Sequence, residues 1–205
     1  MSKVSLIHEL AGKTIFLASQ SPRRRQILQL LGVPFQVLVS SFEENLDKSA
    51  YEGRPECYVV DNAVGKASDI QKRLDADGTE YDLIIGCDTV VVLDGRILEK
   101  PADGERALEM LSALNGRRHD VFSGVALLTP ARRSTFFERT SVSMAHSDAG
   151  LLQRYVATGE PLDKAGGYGL QGGGAVLVNS IDGCFYNVVG FPLHAFCCRV
   201  RELLA

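Results

Sequence analysis

The sequence predicts an α/β fold with a mixed sheet. Two observations carry this. Short apolar segments of strand length alternate along the chain with segments whose apolar residues recur at helical spacing. Strand-like segments are also joined by strong hairpin signals, Asp94-Gly95 above all.

In chain order, residues 14–18 (TIFLA) read as a short buried strand that runs directly into a helix. Ser21 is a good N-cap and Pro22 suits the first helical position, with Ile27, Leu28, Leu30 and Leu31 on one broad apolar side. Residues 35–39 are a second strand, and the polar, acidic residues 41–54 are a loop. Residues 56–74 have helical spacing through Val59, Val60, Ala63, Ala67, Ile70 and Leu74, and residues 75–81 are a linker. Residues 83–86 and 90–93 are strand-like, before the turn at Asp94-Gly95. Residues 103–114 form a helix that stops near Asn115-Gly116. Residues 121–128 and 134–143 form an antiparallel pair about Thr129-Pro130, and residues 147–158 a helix capped by Ser147. Residues 159–174 are rich in glycine, with Asp163, Lys164, Tyr168 and Gln171 interleaved. Residues 175–181 return to strand, turn at Asp182-Gly183, and lead to a last helix over residues 192–204.

The chain has 205 residues, enough for one large domain or two small lobes around a real core; without repeat or disordered linker, residues 1–205 read as a single domain. Hydrophobic residues make up 45% and charged residues 23%, the balance of a soluble globular protein. A net charge of −3 argues against nucleic acid as a partner through bulk charge, and no aromatic stripe offers a stacking platform. No apolar run approaches the roughly 20 residues of a membrane span, and MSKVSLIHELAGK lacks the continuous apolar stretch of a signal peptide. Five cysteines, an odd number with no C-x-x-C pair, predict reduced thiols, mostly as small buried apolar groups, in the cytoplasm.

Four features could carry chemistry. Arg23, Arg24 and Arg25 crowd the first helical turn, where the helix dipole disfavours cations by about 0.3–1 kcal/mol each. Successive helical residues point about 100° apart, so at most two can face one ligand. Those two with the free N–H groups would form an anion socket; the alternative is a solvated basic turn. Asp88, at the end of the apolar strand of residues 83–85, could activate water or hold a divalent cation, or be a turn aspartate in a local hydrogen bond. Lys100 precedes Pro101 in extended backbone and could reach a phosphate, or be an exposed loop lysine. The glycine-rich residues 159–174 could bring backbone N–H groups close to a ligand, but fit neither a P-loop nor a dinucleotide fingerprint. Lys66, in the helix of residues 56–74, is a further candidate cation, and the four histidines show no ligand spacing.

Together these features resemble the Maf family of nucleoside triphosphate pyrophosphatases, relatives of the inosine-triphosphate pyrophosphatase fold. The matching pieces are LASQSPRRRQIL, FEENL, Lys66 followed by Ala67, GCDTVV, LEKP, GEPLDKAGGYGLQG and VVGFPL, from Leu17 to about Leu193. Gly65 and Cys87 depart from common bacterial patterns without touching a motif position, and CFYNVVGFPLHAFCCRV is closer to animal relatives, where such a domain can be fused to a methyltransferase-like one. The resemblance implies a twisted sheet with flanking helices, two lobes and a central cleft. It implies hydrolysis of a nucleoside triphosphate between its α- and β-phosphates. It implies a divalent cation, Mg²⁺ first and Mn²⁺ or Co²⁺ as alternatives, and a homodimer by analogy. In this reading Asp88, Lys66 and Lys100 are catalytic, with Asp88 accepting the proton of water. Ser19 and Ser21 bind substrate, Arg23 and Arg24 bind its phosphates, and Glu43 holds the metal with Asp88. Arg23, Thr89 and Gln171 match positions that assign the chain to the dTTP/UTP branch, with Gln171 reading a pyrimidine edge through its amide. The competing readings are a broad-specificity modified-nucleotide hydrolase and a nucleotide-binding regulator of cell division with low turnover.

Overall fold

A computed structural model describes residues 6–205; Met1–Ser5, where the N-terminal segment weighed as a signal peptide begins, lie outside the described residues. Strand β1 (Ile15–Ala18) is buried along its whole length and feeds helix α1 (Pro22–Gln29), with Ser21 as N-cap. Helix α1 stops two residues earlier than its apolar pattern predicts. Its last turn tightens into i→i+3 bonds, Leu30 N–H to Ile27 and Leu31 N–H to Leu28, and Gly32 takes a left-handed φ of 71°. Leu30, expected on the apolar side, is therefore exposed, while Leu31 is buried.

Strand β2 (Gln36–Leu38) pairs parallel with β1, and the 22-residue helix α2 (Pro55–Ala76) follows. Next come β3 (Leu83–Leu93), β4 (Arg96–Leu98), α3 (Gly104–Leu114), β5 (Arg118–Leu128) and β6 (Arg133–Met144). Helix α4 (Ala149–Ala157), three 3₁₀ turns through the glycine-rich residues, β7 (Val178–Asp182), α5 (Phe185–Val189) and α6 (Leu193–Leu204) complete the chain. Among the described residues, seven strands form one sheet in the order β2-β1-β3-β5-β6-β7, with β4 paired to β3. The pairs β2–β1 and β1–β3 are parallel and the rest antiparallel, the mixed sheet that alternating elements and hairpins predicted. No described helix is long and apolar enough to cross a membrane.

Four sequence expectations are corrected. Strand β3 is continuous over 11 residues, so Asp88 lies mid-strand, not at a strand end; pairing with β1 on one side and β5 on the other overrides the breaker signals of Gly86 and Asp88. Asp148, not Ser147, caps α4; Ser147 exchanges two hydrogen bonds with the Asn115 side chain. Residues Gly173–Leu177 form a 3₁₀ turn, which delays the last strand to Val178. The short helix α5 was not anticipated.

The alternation of β3 organises the core. Leu83, Ile85 and Cys87 face α1 and α6, in a cluster with Ile27, Leu28, Phe196 and Val200. Ile84, one residue out of phase, packs with Ala63, Ala67 and Ile70 of α2. Helix α2 can lie this close because Gly86 and Gly124 lack side chains; a Cβ at either would collide with the α2 backbone at Ala63 and Val59. The cysteines form no disulfide: Cys87 is buried, Cys57, Cys184 and Cys197 are half-buried and Cys198 is exposed, so burial of the thiols is less general than expected.

Candidate active site

The same alternation sorts the chemistry of β3. Asp88 shares the α2 side with Ile84, and Thr89 shares the α1 side with Cys87. Asp88 accordingly meets Lys66 of α2, whose ammonium donates to Oδ1 at 2.8 Å. Thr89 meets Arg24 of α1, which donates from Nη2 to Oγ1 at 3.1 Å. Arg24 is held further by Nε to the Gly190 carbonyl at 2.9 Å and Nη1 to Ser19 Oγ at 3.3 Å. Ser19 Oγ also accepts the Ser21 N–H, so the turn from β1 into α1 is tied to the arginine it presents.

These groups line a cavity of about 540 Å³ together with Ser21, Arg23 and Lys100. Arg25 points elsewhere, onto an open groove with Gln29 and residues 32–35, as the helical angle requires. Arg23 lies across the cavity from the glycine-rich residues and is bound by one of them: Nη1 donates to Asp163 Oδ2 at 2.8 Å and Nη2 to its backbone carbonyl at 2.9 Å. Lys164 Nζ takes the other carboxylate oxygen at 2.7 Å.

The structure brings Asp88, Lys66, Lys100, Ser19, Ser21, Arg23, Arg24 and Thr89 together, but not Glu43 or Gln171. Glu43 accepts a hydrogen bond from Asn45, and its neighbour Glu44 stands at the cavity instead, 2.8 Å from Lys66 Nζ. The segment is extended here, so Phe42 and Glu44 turn inward and Glu43 outward. Gly65 explains the placement: a side chain there would collide with the Phe42 ring, which packs against α2 just before Lys66. Gln171 lies on a smaller adjoining pocket of about 50 Å³, walled by Val91, Val121, Tyr168 and Val188, that shares Arg23 and Val189 with the main cavity.

Glu44, Glu99 and Asp163 are cavity residues to which the sequence reading assigned no role, although Glu99 and Asp163 lie in segments it singled out. Glu99 is fixed by the Tyr58 hydroxyl at 2.6 Å and by Lys48 at 2.6 Å. Tyr58 and Lys66 are eight residues apart on α2, about 80° around the helix, so both fall within its broad buried side.

Burial pushes the Asp88 carboxyl above the ordinary aspartate range, aided by Glu44 and opposed by Lys66 and Arg24. Burial is the largest single influence and works to raise Glu44 too, but the charge and hydrogen bond of Lys66, with Asp88 and Lys100, together outweigh it and hold Glu44 below the usual range. Two carboxylates around one ammonium, facing two arginines and a lysine, can accept a proton and neutralise a polyanion within one cavity. The oxygen donors also fit a hard divalent cation. No cluster of three or more His, Cys, Asp or Glu ligands occurs among the described residues, and a Mg²⁺-type ion that keeps its waters and shares phosphate oxygens needs one or two carboxylates.

Residues 14–203 match the family model described as Maf-like protein. The chain belongs to the Maf-like family. It is 46% identical over 182 residues to a dTTP/UTP pyrophosphatase of Clostridium kluyveri, covering 88% of this chain and 92% of that one. It is 44% identical over 191 residues to a dTTP/UTP pyrophosphatase of Bacillus cytotoxicus, covering 93% and 94%. A human relative, a probable bifunctional dTTP/UTP pyrophosphatase/methyltransferase protein, is 44% identical over 207 residues; the match covers 97% of this chain but 33% of the human one. This Maf-like chain thus spans about a third of the human relative and nearly all of the bacterial ones.

Proposed function

We propose that the protein hydrolyses dTTP and UTP to the monophosphate and pyrophosphate. One observation carries this reading: a buried aspartate paired with lysine stands at the same cavity as two helix-N-terminal arginines, in a chain whose full-length bacterial relatives are named dTTP/UTP pyrophosphatases. Water attacks the α-phosphorus, its proton passes to Asp88, and the bond from that phosphorus to the bridging oxygen breaks, so the electron pair leaves with pyrophosphate. Arg23, Arg24, Lys66 and Lys100 offset charge on the phosphates as it shifts towards the leaving group; removing one such positioned donor costs about 3–4 kcal/mol of barrier. The raised affinity of Asp88 for protons makes its carboxylate a stronger base than an ordinary aspartate's, which suits a group that takes the proton of the attacking water.

Asp88 and Glu44 are the residues that would hold a divalent cation such as Mg²⁺, which when bound supplies further charge neutralisation of the triphosphate. The small pocket beside Arg23 takes the pyrimidine, with apolar valines against the ring and the Gln171 amide at its edge. A cytoplasmic homodimer is the accompanying proposal, supported by the family resemblance and the unpaired cysteines.

Asp88→Asn tests the assignment. Its kcat for pyrophosphate release from UTP falls about 10²–10⁴-fold with the circular dichroism spectrum retained. A wild-type rate removes Asp88 from the role of base.

A further inference from the structure

We propose that His119 is a positioning residue for substrate specificity, acting through Tyr168 to hold the glycine-rich segment against the nucleobase. The proposal rests on reading the pocket beside Arg23 as the base site.

The glycine-rich segment needs external supports. Gly166 and Gly167 have φ of 68° and 75°, conformations open to glycine at little cost and therefore easily left. Its ends are tied: the Gly166 N–H donates to the Glu99 carbonyl at 3.1 Å, and the Glu160 carboxylate accepts from the Gly173 N–H at 2.8 Å and the Gly174 N–H at 3.3 Å. Between them stands Tyr168, three residues before Gln171 and on the wall of the same pocket. Its hydroxyl lies 2.7 Å from His119 Nε2, and the two rings meet edge to face at 5.4 Å.

His119 lies on β5, paired with Val142 of β6, so it belongs to the rigid sheet. Both side chains are buried, and Tyr168 sits in an apolar cluster with Val91, Leu111 and Val121. The second ring nitrogen of His119, Nδ1, is buried without a hydrogen-bond partner. The imidazole therefore has one polar contact here, and that contact is Tyr168. An apolar residue would fill this place in the core without leaving a ring nitrogen unpaired, so what the histidine adds is the direction of a single hydrogen bond. That bond sets where the Tyr168 ring and the Gln171 backbone stand relative to Val121 and Val188 across the pocket. The phosphates are held by Arg23 and Arg24 of α1, Lys66 of α2 and Lys100 after β4, none of which hydrogen-bonds to His119 or Tyr168, so the pair bears on the base and not on the reacting phosphorus.

The test uses full-length His119→Gln, His119→Leu and Tyr168→Phe proteins, with pyrophosphate release from UTP, dTTP and GTP as the readout. Tyr168→Phe and His119→Leu should raise KM for UTP and dTTP about tenfold, leave kcat within about twofold, and narrow the preference over GTP by a similar factor. Glutamine reaches about as far as Nε2 and can hydrogen-bond the hydroxyl, so His119→Gln should recover most of the wild-type KM. Thermal melts report the fold of each variant. Lower melting temperatures with unchanged KM and unchanged preference overturn the proposal, leaving a purely structural pair. Should Tyr168→Phe fail to fold, the contrast between glutamine and leucine at 119 decides, and equal KM values for those two also overturn it. Wild-type protein that releases no pyrophosphate from UTP or dTTP instead overturns the proposed function.

Discussion

Arg23 and Arg24 stand at the positive end of α1, and the sequence implies an anion to offset them. The protein itself supplies part of that partner: Asp163 for Arg23, and the Gly190 carbonyl with the Thr89 and Ser19 hydroxyls for Arg24. The Arg23–Asp163 pair is partly exposed and so worth about 1 kcal/mol or less, a contact that a triphosphate can displace or share. Arg23→Ala should raise KM and lower kcat together, since the guanidinium serves bound substrate and transition state alike; unchanged steady-state constants would return the arginine to a solvated role. The acidic segment gives a sharper contrast. Glu44→Gln should cut kcat/KM about 10–100-fold and Glu43→Gln should change it less than about twofold, because only Glu44 reaches Lys66; pyrophosphate release at matched divalent-ion concentration separates them. The residue types of this site were readable in the sequence. Which glutamate faces inward was not, because the phase of an extended segment is set by where Phe42 packs on Gly65.

At the scale of elements, β3 determines the site through its period of two. Asp88 and Thr89 are adjacent in sequence yet serve opposite faces, one meeting α2 and the other α1, and the cavity opens where both sides are reached. The close approach of α2 depends on Gly86 and Gly124. Gly86→Ala should push α2 from the sheet at Ala63, destabilising the protein by about 1–3 kcal/mol and lowering activity by displacing Lys66 from Asp88. A thermal melt beside the kcat shows whether both fall; loss of neither would mean that α2 shifts freely. Hairpins and most helices were legible because their signals are local: Asp94 and Gly95 both take positive φ, and α3 begins at an aspartate cap. The continuity of β3 was not legible, because Gly86 and Asp88 discourage a strand locally and only the two neighbouring ladders impose one.

For the whole molecule, the buried histidine couples stability to pH. Burial of His119 lowers its pKa from 6.5 to about 4, with Asp120 only weakly opposing. The unfolded chain therefore binds more protons than the folded one between these values, and the stability held above pH 6.5 is lost as pH falls towards 4. The shift corresponds to about 3 kcal/mol at most. Urea melts across that window should show the slope in the wild type and its disappearance in His119→Gln; an equal slope in both would place its source elsewhere. Turn chemistry and periodicity were enough to define an α/β mixed sheet and the order of most of its elements, because each depends on near neighbours in the chain, while the charged groups of the site were gathered by the family resemblance. Folding added the pairings that span the chain: Lys66 with Asp88, Arg24 with Gly190, Arg23 with Asp163, and His119 with Tyr168. Those contacts join residues 22 to 166 positions apart, and the sheet register and close helix packing that create them arise only when the whole core is assembled.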